Sequence, residues 1–167
     1  MKSLEDEYDA VIHALEKFPQ NLLDVEPDGK WSALMHLDHL IKSSSAVNMG
    51  LILPKFIFPV VGGRLKRAHY SYDEVVAKYI SRLEQGAKAS GPYIPPKRSV
   101  AEIGKLLKKF ESEKERMLKN LDRWSEVQME KMVMPHPIIG KISVKEMLFF
   151  TIYHTKHHRN ILEKFSG

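Results

Sequence analysis

Apolar side chains recur every three or four positions through four long stretches of the chain, a period that predicts four amphipathic helices. The first runs from Leu4 to Phe18, with Leu4, Tyr8, Val11, Ile12 and Leu15 on one side, and ends at Pro19. The second follows the turn-rich DVEPDGK. Ser32, just after Trp31, is placed to cap a helix that reaches about Met49. The third begins near Ser99, whose Glu102 completes an S-x-x-E capping box, and continues to about Trp124. Leu106, Phe110, Met117 and Leu121 lie on its apolar side. Ser143 with Glu146 offers another capping box, from which the fourth helix runs to about Lys164, leaving Ser166 and Gly167 as a frayed end.

Between the second and third helices lies an irregular stretch, followed by YDEVVAKYISRLEQGAKA. Val75, Val76, Tyr79, Ile80 and Leu83 at helical spacing make that segment a shorter extra helix. SGPYIPP reads as a loop and PHPIIGK as irregular. There is no strand-like alternation of any length and no internal repeat. The pattern predicts an all-α fold: one four-helix-bundle domain over residues 1–167, with a long crossover that carries the extra helix.

Composition narrows the chemistry. The 167 residues suit one domain, and 43% hydrophobic with 28% charged residues is ordinary for a globular chain. There is no cysteine, which removes disulfides, iron–sulfur clusters, thiolate zinc sites and a cysteine nucleophile, so any metal must be held by nitrogen and oxygen. The N-terminus carries acids and has no apolar signal core, and no run approaches the ~18 apolar residues of a membrane span. A cytoplasmic location is therefore expected. The longest apolar patch, LILPKFIFPVV, is broken by Pro54 and Pro59 and suits a buried connection or an interface. The net charge of +5 is mild, and most lysines interleave with acids as on a solvated helix face. Only Arg64, Lys66 and Arg67 are locally basic, so nucleic acid is not an expected partner.

The chemistry-bearing stretch is YHTKHHRNIL, with His154, His157 and His158. Histidines at i and i+4 project from one side of a helix and can reach one ion, which fits His154 with His158; His154 with His157 is the competing pair. At about 100° per residue, Met147, Phe150, Ile161 and Phe165 cluster around His154, and His158 lies inside that stripe while His157 lies at its edge. Buried imidazoles need hydrogen-bond partners or a metal, because unpaired polar burial costs roughly 1–3 kcal/mol per group. WSALMHLDHLIKSS supplies His36 and His39 as further candidates. His39 shares its face with the mostly small Met35, Ser43, Ala46 and Gly50, which favours it; His36, about 60° away, stays open as the alternative. Without a metal, each helix would simply hold a satisfied core histidine.

KWSALMHLDHLIKS, followed about 115 residues later by YHTKHHRNIL, resembles the DinB-like family, also called the YfiT-like metalloenzymes. The resemblance implies a four-helix bundle in which three histidines hold a divalent metal, and the matching positions are His39, His154 and His158. Three positions in two places depart from the family pattern. Met35 stands where an acid or amide is usual, and Asn160 and Ile161 follow Arg159 where relatives often have Gly-Gln.

Three neutral imidazoles add no negative charge to a dication and leave a coordination position open, the catalytic rather than the closed structural arrangement. Zinc or nickel suits such ligands best, with manganese or iron also compatible. A zinc-like ion lowers the pKa of bound water towards ~7 for hydrolysis, or binds a thiol as thiolate. The resemblance implies the second chemistry, with a low-molecular-weight thiol as substrate, in a homodimer. The expected function is thus a metal-dependent thiol transferase or hydrolase acting on a small molecule. The competing class is a non-catalytic dimeric bundle in which LILPKFIFPVV meets a second copy and any metal only staples helices.

Around that site, Asp38 and Glu146 are candidates to orient a ligand histidine, though surface or capping carboxylates fit them better. Arg159 is a candidate for binding an anionic thiol. Tyr153 reads as packing, His136 between two prolines as a solvated loop residue, and His13 and His69 as surface histidines.

Overall fold

Ser32 caps the central helix of the molecule: its side-chain oxygen accepts from the backbone N–H of Met35, and helix α2 runs from Ala33 to Leu51. In this computed structural model, which describes residues 2–63, 65 and 67–166, every residue from Ala33 to Ile41 is buried. A helix covered on all sides needs neighbours on all sides. Helix α1 (Lys2–Glu16), helix α5 (Ile103–Leu121) and helix α7 (Val144–Ser166) join α2 in the bundle, with α2 against α5 and α1 against α7 as the closest pairs. Tyr8 of α1 stacks on Phe110 of α5 at 4.6 Å, and both rings are fully buried. A buried polar seam also ties α2 to α5, where Asn48 donates to the Glu113 side chain at 2.8 Å and accepts from Asn120 at 3.2 Å.

The crossover between α2 and α5 carries a short helix α3 (Phe58–Val61) and the extra helix α4 (Tyr72–Glu84). Ser71 and Glu74 form a capping box at the start of α4, which then packs on α7. The two capping boxes expected from sequence are present. Ser99 and Glu102 cap the entry to α5 through a 3-10 turn, and Ser143 and Glu146 exchange bonds at the start of α7.

Besides the short α3, a further helix and a hairpin depart from the sequence expectation. Helix α6 (Glu126–Lys131) follows a capping box at Ser125. The PHPIIGK region is not irregular but belongs to an antiparallel hairpin of β1 (Val133–His136) and β2 (Gly140–Ser143), in which His136 pairs with Gly140. Its strands are four residues long and β1 contains Pro135, so no alternating pattern was there to be read. The hairpin packs on α3 and α7, and Gly62 lies so close to Val133 that a Cβ there would overlap the Val133 carbonyl.

LILPKFIFPVV is split between the two roles expected for it: Phe58 is buried, whereas Phe56 and Val60 are 78% and 85% exposed. Arg64, Lys66 and the Gly167 end lie outside the described residues, and no described helix is long and apolar enough to cross a membrane.

Candidate functional site

The N-terminal half of α2 and the middle of α7 face each other across one end of the bundle, and their imidazoles meet there. His154 Nε2 lies 3.1 Å from His39 Nε2 and 3.1 Å from His158 Nε2. These three are the group that the described residues bring within reach of one ion, with ligand atoms inside 4.8 Å of one another. All three side chains are buried. Burial is the main force keeping them neutral: it lowers the pKa of His39 below the ordinary imidazole value, and those of His154 and His158 well below it, with neighbouring imidazoles adding to the effect in the latter two.

A second contact fixes the tautomer of His39, and another constrains that of His158. His39 Nδ1 lies 2.8 Å from the Tyr93 carbonyl oxygen, which can only accept, so Nδ1 donates and the neutral ring leaves Nε2 bare. His158 Nδ1 lies 2.8 Å from His36 Nδ1. If His158 Nε2 is to be bare as well, its Nδ1–H must donate to a bare His36 Nδ1, which puts the His36 proton on Nε2. His36 thus stands outside the converging trio, in a position to accept from His158 Nδ1–H. Burial takes its pKa down to about 4, which keeps it a neutral acceptor.

The donor set fits a divalent cation. Nitrogens bound tetrahedrally to zinc at about 2.0–2.1 Å stand roughly 3.3 Å apart, close to the separations found here. Without a cation the trio is frustrated. One proton on His154 Nε2 can be directed at either neighbour but not both, and His39 offers only a lone pair, so one of the two 3.1 Å contacts stays unsatisfied in any neutral arrangement. A cation at the centre satisfies all three lone pairs.

Aromatic rings hold the imidazoles in place. Trp31 sits 5.0 Å from His39 and 5.5 Å from His36, and Phe150 stacks on His154 at 4.9 Å. The cluster opens onto a cavity of about 800 Å³, within the range of sites for small molecules. The turn bearing Tyr93, helix α4 and the hairpin wall it. His157 lines the same cavity, half-buried beside Tyr79 and Tyr153, and stays outside the converging trio.

Other expectations fare unevenly. His136 is not a solvated loop histidine. It is buried on β1, 4.2 Å from the Phe150 ring, and lines the cavity. Burial lowers its pKa to about 4, and its Nδ1 accepts from the backbone N–H groups of Ile138 and Ile139 at 3.1 Å each. The flanking prolines disguised a strand position.

Asp38 does not orient a histidine: it turns away to Arg98 at 2.6 Å and Lys42 at 3.2 Å. Glu146 is the capping carboxylate but not a surface one, since it is buried against Arg67 and the backbone N–H of Tyr70. Arg159 is engaged by Glu7 at 3.1 Å and by Glu163, which removes it from anion binding in the cavity. Tyr153 packs edge-on against Tyr79, as expected of an interhelix contact. His13 and His69 are exposed.

A sequence model of the DinB superfamily matches residues 3–162, and the chain belongs to that superfamily. Among solved structures it is similar to YfiT from Bacillus subtilis, described as a probable metal-dependent hydrolase with an unusual four-helix bundle topology. The two share 18% identity with a TM-score of 0.63, over 99% of this chain and 82% of that one. At that identity the likeness is one of fold. No curated protein matches the chain.

Proposed function

We propose that this member of the DinB superfamily is a divalent-metal-dependent enzyme, with His39, His154 and His158 as the metal ligands and hydrolysis of a small molecule as its reaction. The observation that carries this reading is the convergence of three Nε2 atoms beside an open cavity of about 800 Å³. A closed structural site would present a fourth protein ligand and no cavity. The description of YfiT as a probable metal-dependent hydrolase supports the same class. Bound there, zinc or a similar dication supplies Lewis acidity that activates water, or a thiol, near neutral pH.

The chain's own groups divide the remaining work. Tyr93 and His36 hold two ligand rings in the binding tautomer. His136 accepts two backbone N–H groups at Nδ1, so its neutral ring carries the proton on Nε2 and offers a donor that no described residue uses. That N–H suits a carbonyl oxygen gaining charge. His157, kept neutral by burial, is the imidazole left free to take a proton.

A low-molecular-weight thiol as substrate is the second reading. It is favoured by the absence of any carboxylate among the cavity-lining residues described, since a thiol activated by the metal needs no carboxylate base. A cytoplasmic, cysteine-free homodimer completes the proposal, with the exposed Phe56 and Val60 as the apolar face open to a second copy.

Elemental analysis after reconstitution tests the centre. The wild type should bind close to one divalent ion per chain, and His39→Ala, His154→Ala and His158→Ala should each lose most of it. Equal metal content in all four proteins would refute the assignment. Turnover of ester and amide panels, against thiol-plus-electrophile panels, then decides the reaction class.

A further inference from the structure

The formal charges that line the cavity, among the described residues, are of one sign. Among its described lining residues, Lys30, Lys88 and Lys164 are the formally charged side chains, and no aspartate, glutamate or arginine joins them. All three lysines are exposed, which places their ammonium groups at the mouth rather than at the buried imidazoles. No ion pair ties any of them to a carboxylate among the described residues. Elsewhere Lys42, Lys97, Lys114 and Lys145 are each taken by an acid. Deeper in, the walls are apolar and aromatic: Trp31, Tyr79, Phe150, Ile161 and Phe165.

We infer that the cavity takes an amphiphilic anion, a molecule with a sizeable apolar body and a carboxylate, sulfonate or phosphate at one end. Its body lies along the aromatic wall and its anionic end faces Lys30, Lys88 and Lys164. This reading deepens the proposed function and rests on it for orientation: the reacting bond sits at the histidines, remote from the charge.

Each half of the inference has its own physical basis. An apolar ligand gains by leaving water for a wall of rings and aliphatic carbons. An anion at the mouth meets three exposed cations, and a cationic amphiphile of the same shape meets repulsion there. A neutral amphiphile keeps the first contribution and lacks the second. Seating the anion on the metal instead would place charge at the floor, which predicts a different dependence on metal.

The test uses the full chain, as purified and again after EDTA, with 8-anilinonaphthalene-1-sulfonate as fluorescent reporter. Decanoate, decanol and decyltrimethylammonium compete with it below their micellar concentrations. Decanoate should displace the reporter at a concentration about tenfold lower than decyltrimethylammonium does, with or without metal, and the gap should narrow in high salt. The triple variant Lys30→Gln, Lys88→Gln, Lys164→Gln should lose about tenfold in decanoate affinity and bind decanol as the wild type does. The replaced side chains are exposed, so the variant should keep its melting temperature.

Ala46→Trp, which places an indole in the cavity, should weaken binding of all three competitors alike. Equal binding of anion and cation, an unchanged triple variant, or no reporter binding at all would overturn the inference. An anion preference that vanishes after EDTA would overturn it too, by placing the head on the histidine centre. Failure of the metal assay alone leaves these outcomes readable, because the EDTA-treated arm needs no metal.

Discussion

The contact between His36 and His158 makes a prediction that separates a ligand-orienting histidine from a merely buried one. Replacing His36 by Phe keeps an aromatic ring beside Trp31 and Phe165, which lie 5.5 Å and 6.3 Å from it, and deletes only the nitrogens. In the metal-free protein His158 is free to move its proton to Nε2 and share it with His154, so the orphaned Nδ1 is an acceptor rather than a donor. Metal removes that option. With Nε2 committed to the ion, Nδ1 must carry the proton, and in the variant this buried N–H has no acceptor. An unsatisfied buried donor costs about 1–3 kcal/mol. At about 1.4 kcal/mol per tenfold, that is a loss of roughly 5- to 100-fold in metal affinity, in line with the 10- to 100-fold effects typical of partners that orient ligands.

The measurement is competition for zinc against a chromophoric chelator at pH 7.5, alongside chemical denaturation of the metal-free proteins. His36→Phe should bind zinc at least about fivefold more weakly, and any loss of metal-free stability should be smaller than the loss in the metal-bound form, whose ion-polarised N–H is the stronger hydrogen-bonding group. His36→Asn, whose amide oxygen stands near the place of Nδ1, should recover most of the loss. Wild-type affinity in His36→Phe, or no recovery in His36→Asn, would refute the role assigned to this pair.

Three further predictions concern the frame around the site. His136 is neutral in the fold with a pKa of about 4 and titrates near 6.5 when unfolded, so the unfolded chain binds more protons between those values. Its contribution to stability is complete above pH 6.5 and is lost as pH falls towards 4, about 3 kcal/mol in all. Urea denaturation of wild type and His136→Asn at pH 7.5 and pH 4.5 should show a smaller acid loss in the variant; parallel losses would count against it.

Burial works against the Glu146 carboxylate, but Arg67 and the N–H groups of Tyr70 and Ser143 hold its pKa below the usual range, so it too stabilises above that range and less in acid. Glu146→Ala should cost about 3 kcal/mol by differential calorimetry, and Arg67→Ala less because the backbone donors remain; the reverse order would contradict the network described. Gly62→Ala should destabilise by about 2 kcal/mol as the hairpin is pushed off α3, whereas Gly104→Ala, with open space at its Cβ, should be neutral or stabilising by about 0.5 kcal/mol in the same melts.

The helices were readable because each carries an uninterrupted period and a chemically distinct start, as Ser32, Ser99 and Ser143 illustrate. The hairpin was not readable. Two strands of four residues give too few alternations, and Pro135 and Pro137 point to a loop. For the site, helical angles could place His154 and His158 on one stripe and prefer His39 to His36, because those are relations within single helices. What His36 does instead depends on how α2 and α7 cross, which no single-helix pattern encodes. The mouth lysines are illegible in the sequence for a similar reason: they lie 58 and 76 residues apart along the chain and gather only when the crossover folds over the bundle's end. Arg159 looked available from its position beside His158, and Glu7 on a different helix takes it away.

The bond from His39 to Tyr93 is made to a main-chain oxygen. Any amino acid at that position offers the same atom, so exchanging the phenol for another side chain should leave the tether standing. Inserting or deleting one residue in the run from α4 to α5 should break it. Part of this centre's chemistry is thus specified by how many links the crossover contains rather than by which ones. Engineering of this rim is free to vary residue identity but must keep the segment's length.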